Sequence, residues 1–249
     1  VRDGAGVNGF LIVDKASGVT SFSMVSLVRR LTGVRRVGHA GTLDPLATGV
    51  LPVAVGYATR FIEYLDDALK IYVAQVRFGE ATDTYDAAGT VVTRGDASDV
   101  TAAAIRRELA GFVGEIVQMP PLFSAIKVAG KPLYRYAREG ADVAVAARTV
   151  YVESAELRSY ADGIAEIEVR CGKGTYIRSI AHDLGERLGC GAHMTALRRT
   201  SSGGFGAGDA HSTDELESLA DEGRLDEALL AVDRAVERRP AAIFAAGHG

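Results

Sequence analysis

The chain has 249 residues, 47% of them hydrophobic and 24% charged, a globular composition with enough length to bury a core in one domain or two small ones. Its longest apolar runs, around residues 11–13 and 50–55, are far too short to cross a bilayer, and the opening VRDGAGVNGF lacks the basic start and apolar stretch of a secretory signal. The net charge of −4 is unevenly placed: residues 209–239 carry 10 Asp/Glu against 4 Arg, so the remainder is at +2 and a nucleic-acid surface is not excluded.

In chain order, Phe10 to Val13 read as a short strand that ends in a turn over Asp14, Lys15 and Gly18. Thr20 or Ser21 caps an amphipathic helix with apolar positions Phe22, Val25, Val28 and Leu31, stopped at Gly33. A segment dense in Gly and Pro (35–49) leads into an apolar strand over 50–55, and a short helix is expected over 59–65. Tyr72, Ala74, Val76 and Phe78 alternate as in a half-buried strand, and 101–110 reads as a helix.

Residues 118–148, with three prolines and many basic side chains, interrupt the strand pattern and read as an insertion. Strands resume over 149–157 and 164–171. A helix follows over about 175–188, then a strand over 193–199 and an acidic helical tail from 212. Without a βαβ rhythm, the expectation is an α+β fold with a largely antiparallel mixed sheet flanked by helices.

Two cysteines, Cys171 and Cys190, without CxxC spacing read as reduced thiols in a cytoplasmic protein. The five histidines form no ligating pattern, so no bound metal is expected. Basic residues cluster at Arg29, Arg30, Arg35 and Arg36; at Lys127, Lys131, Arg135 and Arg138; at Arg170, Lys173 and Arg178; and at Arg198 and Arg199. Each cluster alone is usually a solvated face, and together they leave an RNA surface open.

In GHAGTLDPLATGVLPV (38–53), glycines allow backbone angles closed to other residues, and Pro45 restricts Asp44 to an extended conformation. On residues alone Asp44 is either a nucleophile or base on a stiff loop, or a turn carboxylate that satisfies local amides.

That segment closely resembles the catalytic motif of the TruB family of tRNA pseudouridine synthases. NGFLIVDKASGVTS (8–21) is similar to the family's first strand and turn, with Ala16 where the family has proline. KIYVAQVRFGEATDTYDAAG (70–89) resembles the strand bearing the active-site tyrosine, and PPLFSAIKVAGKPLYRYAREG (120–140) resembles the inserted RNA-gripping thumb. CGKGTYIRSIAHDLGERLGCGAHMTALRRTSSGGF (171–205) resembles the stretch with the active-site arginine.

The resemblance implies a pseudouridine synthase fold over residues 1–205, with a thumb-like insertion at about 118–148. It leaves 206–249 as an acidic helical extension without a complete PUA-type domain. It implies isomerisation of uridine in the tRNA T-loop, at position 55 of tRNA numbering, by base flipping and covalent catalysis with no cofactor. By position, Asp44 is implied as nucleophile, Tyr72 as the residue stacked on the flipped base, and Arg178 as the partner of Asp44. Asp83 is implied to orient that arginine, Tyr176 and Leu197 to line the nucleoside pocket, His39 to enter the T-loop, and Lys15 to support the pocket turn. Lys127, Lys131, Arg135 and Arg138 are implied RNA contacts, the last three on one face of a KPLYRYAREG helix. The implied partner is the tRNA T-arm, with no membrane and no obligate protein partner, and the chain is expected to be a monomer. Two rival readings are a guide-dependent synthase, which lacks the thumb, and an RNA chaperone that refolds tRNA without chemistry.

Overall fold

The structure is a computed structural model that describes residues 7–237, apart from 125, 129, 140 and 142. In chain order its elements are β1 (Gly9–Lys15), α1 (Ser21–Thr32), β2 (Val37–His39), β3 (Thr48–Val55), a 3-10 turn (Gly56–Phe61), α2 (Ile62–Asp66) and β4 (Lys70–Phe78). Then come β5 (Glu80–Thr82), β6 (Val91–Arg94), α3 (Ala102–Ala110), β7 (Gly114–Gln118), β8 (Lys127–Val128), β9 (Lys131–Pro132), α4 (Leu133–Arg138) and β10 (Arg148–Ala161). The chain continues through β11 (Ile164–Cys171), α5 (Ile177–Arg187), β12 (Ala192–Ser202), β13 (Phe205–Gly206), α6 (Thr213–Asp221) and α7 (Val232–Glu237). This is an α+β architecture with a large, mostly antiparallel sheet flanked by helices.

The chain divides into two compact units, residues 1–71 with 198–249, and residues 72–197. In the first unit β1 pairs antiparallel with β3, from Gly9 opposite Val55 to Lys15 opposite Gly49. The other edge of β3 is shared: β2 pairs antiparallel with Val53–Val55, and the end of β12 runs parallel beside Thr48 and Gly49. The loop 40–47 thus leaves the sheet where the partner of β3 changes. Both β1 and β3 are buried almost throughout, which is why each reads as an apolar run rather than an alternation. Phe10, Ile12, Val50, Ala54, Leu65 and Phe205 form the core, and burying a ring such as that of Phe10 is worth about 2–3 kcal/mol. The acidic tail is part of this unit. Phe10 and Leu230 exchange both backbone hydrogen bonds, His211 bonds on either side of Val13, and Ala235 joins the core.

The first helix departs from the sequence reading. Thr20 is its cap, accepting the Ser23 N–H at 3.0 Å, but the buried stripe is Met24, Val25, Val28 and Thr32, and Phe22 is 63% exposed. Ser21 is turned inward, and the next residue lies about 100° further round the helix, which sends Phe22 outward.

In the second unit the strand order is β12–β4–β11–β10–β7, with β10 antiparallel to both β11 and β7. Burial alternates along β4 as the sequence predicts, with Tyr72, Ala74, Val76 and Phe78 inside. The insertion is a small hairpin, β8 with β9, followed by the single turn and a half of α4. Lys131 and Pro132 are committed to that hairpin, so the helix begins at Leu133, and Lys131 is not part of a continuous helical face with Arg135 and Arg138.

Candidate active site

The first unit holds Lys15, His39 and Asp44 around one loop. Ser21 clamps the residue before Asp44 with a single oxygen: it accepts the Leu43 N–H at 2.8 Å and donates to the Leu43 carbonyl at 3.0 Å. On the far side of Asp44, the Gly18 N–H donates to Pro45 O at 2.8 Å and Ser17 Oγ to Leu46 O at 3.0 Å. The Asp44 carbonyl accepts the Ala47 N–H at 3.0 Å. The β1–α1 turn thus grips the loop on both sides of a half-buried Asp44, and the geometry agrees with the stiffness read from Gly and Pro. Gly41 (φ +80°) and Gly49 (φ +105°) take left-handed angles, and a Cβ on Gly49 would fall 2.2 Å from the Arg199 carbonyl.

Two buried cations support this loop. Lys15 is fully buried, and its ammonium donates to the carbonyls of Val19 (2.7 Å), Ala16 (2.9 Å) and Pro45 (3.3 Å). Burial pushes its pKa down to about 8, against the pull of Asp44 and with a further push from Arg199. Arg199, also fully buried, donates to Val50 O at 2.7 Å and to Gly41 O at 3.1 Å, bridging the two ends of the loop. His39 is half-buried on β2; its pKa is lowered by burial and by Arg199, with Asp66 opposing.

In the second unit Arg178 sits on α5, 4% exposed, and collects acceptors from two distant segments. Its guanidinium donates to Thr84 O and to Phe123 O, each at 3.1 Å, and lies 3.5 Å from a carboxylate oxygen of Asp86. The carboxylate facing Arg178 is therefore Asp86, not Asp83. Asp83 is exposed and accepts the Thr90 N–H at 2.8 Å, closing the β5–β6 loop. Asp86 is fixed in turn by Thr84 Oγ1 (2.6 Å) and the Ala88 N–H (3.0 Å). TDTYD offers two carboxylates three residues apart, and the left-handed Tyr85 (φ +64°) between them lies just before the one turned inward.

Tyr176 stands at the N-terminus of α5, where the buried Gln118 amide holds it from both directions. The Tyr176 N–H donates to Oε1 at 2.8 Å, and Nε2 donates to Tyr176 O at 3.0 Å. Ser179 Oγ donates to Met119 O at 2.8 Å, so the first leg of the insertion is tied to the helix that carries Arg178. Tyr72 and Leu197 are buried in the same unit at 8% and 7% exposure.

Several basic side chains read as surface clusters are committed elsewhere. Arg198 makes a bidentate pair with Asp14 (2.7 and 3.0 Å), Arg170 pairs with Glu153 and Arg30 with Glu217. Lys131 pairs with Glu139 and lies over the Tyr136 ring, 4.5 Å from its centre, whereas Arg135 is exposed on α4. Lys127 and Arg138 are placed by backbone alone, in β8 and at the end of α4. Ser21, Asp86, Gln118 and Arg199 are the site residues that sequence reasoning missed as such. Arg199 carried a signal as a member of a basic cluster and Ser21 as a candidate helix cap, and neither signal pointed to this loop.

Comparison with known proteins accords with this geometry. Residues 29–177 match the family model for the N-terminal domain of TruB family pseudouridylate synthases, and residues 178–237 match that of the tRNA pseudouridylate synthase B C-terminal domain. The chain is 48% identical to tRNA pseudouridine synthase B of Chromohalobacter salexigens, over 98% of this chain and 80% of that one. It is 45% identical to the enzyme of the same name from Geobacter sulfurreducens, over 90% and 74%. Among solved structures, a chain of a Cbf5–Nop10–Gar1 complex superposes with a TM-score of 0.72 at 32% identity, over 92% of this chain. A chain of an H/ACA ribonucleoprotein bound to a substrate RNA containing 2′-deoxyuridine does so with a TM-score of 0.69 at 29% identity. This chain spans 62% and 61% of the length of those two. The matched models and the relatives agree: the chain belongs to the TruB family of pseudouridylate synthases.

Proposed function

We propose that the chain converts a uridine of the tRNA T-loop, position 55 in tRNA numbering, to pseudouridine, with Asp44 as the covalent nucleophile. The observation that carries this reading is the grip on Asp44 from both sides by Ser21, Gly18 and Ser17, since a nucleophile must be held near its attack geometry. The relatives named tRNA pseudouridine synthase B support the choice of RNA.

In this reading the target base leaves its stack at about a few kcal/mol. Stacking on Tyr72 returns about 1–3 kcal/mol. Asp44 attacks the nucleoside, at C6 of the uracil or C1′ of the ribose, and that bond breaks again as the product forms, which returns the Asp44 carboxylate. The N1–C1′ bond breaks, the base turns, and a C5–C1′ bond forms. The C5 proton is lost with the help of Tyr72, and N1 gains a proton, so nothing is oxidised and no cofactor enters. Arg178, fixed by Thr84, Phe123 and Asp86, is the cation that favours the ionised nucleophile. Tyr176 and Leu197 line the nucleoside pocket, Lys15 holds the turn beneath Asp44, and His39 enters the T-loop. Arg135, with Lys127, Lys131 and Arg138, meets T-arm phosphates. The protein works in the cytoplasm as a monomer without an obligate partner. No described helix is long and apolar enough to cross a membrane.

The likeness to chains of Cbf5-containing complexes favours a second reading, a guide-dependent synthase. Incubation with an unmodified tRNA transcript and no guide RNA, followed by mapping of modified positions, separates the two. One pseudouridine in the T-loop is the expected result. No conversion until a guide is supplied would overturn the tRNA reading, and binding without conversion would point to a chaperone.

A further inference from the structure

Tyr85 adopts a left-handed backbone angle, φ +64°, that a bulky aromatic residue rarely occupies and that persists only where its surroundings impose it. Its ring lies flat on the imidazole of His182, with centroids 3.9 Å apart and planes 10° from parallel. His182 is four residues beyond Arg178 on α5, hence on the same face one turn along. The backbone of Tyr85 is tied on both sides: its N–H donates to Thr82 O at 3.2 Å, and its carbonyl accepts the Met194 N–H at 3.0 Å. The residues flanking it, Thr84 through its carbonyl and Asp86 through its carboxylate, are two of the groups that face the Arg178 guanidinium. Among the described residues the buried His182 Nδ1 has no hydrogen-bond partner, and the contact given for the ring is the stack on Tyr85.

We propose that the Tyr85–His182 stack is a positioning device for Arg178. It pins the β5–β6 loop to α5 so that Thr84 O and Asp86 reach the guanidinium together and fix its plane. The proposal rests on the reading of Arg178 given above. A stack that only fills space would alter stability and leave the chemical step alone, and that difference makes the role testable.

The test uses the full chain and an unmodified tRNA transcript, with single-turnover rate at saturating RNA, affinity by filter binding, and melting temperature measured for each variant. Tyr85→Gly removes the ring while glycine accepts the left-handed angle, so the fold is retained. Its rate is expected to fall between about tenfold and a hundredfold, as for a misplaced site group, with affinity changed much less. Tyr85→Phe and His182→Phe keep a stacked pair and recover most of the rate. His182→Ala repeats the Tyr85→Gly defect, and the double variant is no slower than either single one, because both remove one contact.

A folded Tyr85→Gly at wild-type rate, a Tyr85→Phe as slow as Tyr85→Gly, or full additivity in the double variant would each overturn the proposal. Arg178→Lys serves as the control. If it is slow while Tyr85→Gly is fast, only the positioning role falls; if it turns over at the wild-type rate, the reading of Arg178 falls with it.

Discussion

Ser21→Ala removes one oxygen and both bonds that hold Leu43, the residue before the proposed nucleophile. Ser21 is 2% exposed and Leu43 3%, so water does not readily replace what is lost. Two hydrogen bonds at about 1 kcal/mol each, with a buried N–H left unpaired, give a loss of about 2–3 kcal/mol in unfolding free energy. The loop stays attached through Gly18, Ser17 and Lys15, so the protein folds but Asp44 gains freedom along its own backbone. A displacement approaching an ångström slows chemistry by up to about a hundredfold. The comparison variant is Thr20→Ala, which deletes the α1 cap one residue away and is expected to cost about 1 kcal/mol with turnover unchanged. Urea unfolding and single-turnover pseudouridine formation are measured on both. If Ser21→Ala turns over at the wild-type rate, or if Thr20→Ala is slowed as much, the clamp does not position the nucleophile.

Further outcomes follow from the same structure. Asp86→Asn should slow the chemical step at saturating tRNA, whereas Asp83→Asn should leave it within a few-fold; the reverse order would contradict the assignment of the carboxylate that faces Arg178. The folded-state pKa of Lys15, about 8, lies below its ordinary 10.5, so between those values the unfolded chain binds more protons and stability rises with pH. Relative to Lys15→Met, the wild-type protein should gain about 1–2 kcal/mol from pH 8 to pH 9.5, read by urea unfolding; parallel profiles would show that the ammonium is not desolvated. In a salt series of tRNA affinity, Arg135→Ala should lower the slope by about 0.9 if its phosphate contact is duplex-like. Lys131→Ala, whose ammonium is paired with Glu139, should lower it less, and equal slopes for all variants would mean that the insertion does not grip RNA by charge.

Much of the fold is legible in the sequence where one periodicity dominates. The alternation of β4 and the apolar run of β3 are decided by local chemistry and the structure follows them, and of the two cap candidates, Thr20 and Ser21, it takes Thr20. The short strands were not legible. β6 is exposed along its whole length and β8 and β9 have two residues each, so no apolar pattern marks them. The loop around Asp44 was readable as stiff because Gly and Pro act locally, but its clamp by Ser21 spans 22 residues and exists only once β1 and β3 have paired. Asp86 was missed in favour of Asp83 because the choice turns on one left-handed residue, Tyr85, which carries no glycine to announce it. The basic cluster at 198–199 was misleading for a similar reason: Asp14 neutralises one arginine and backbone carbonyls surround the other.

The central claim is that Asp44 forms the covalent bond, and Asp44→Asn tests it most directly because the change keeps shape and removes the nucleophilic charge. Unmodified tRNA transcript, in saturating amount, is incubated with wild type and variant, and pseudouridine at the T-loop uridine is mapped over time while affinity is measured in parallel. The account predicts no detectable pseudouridine from Asp44→Asn, with tRNA affinity within a few-fold of wild type. Turnover by that variant at the wild-type rate would contradict it and leave Asp44 as a turn residue that only satisfies its neighbours.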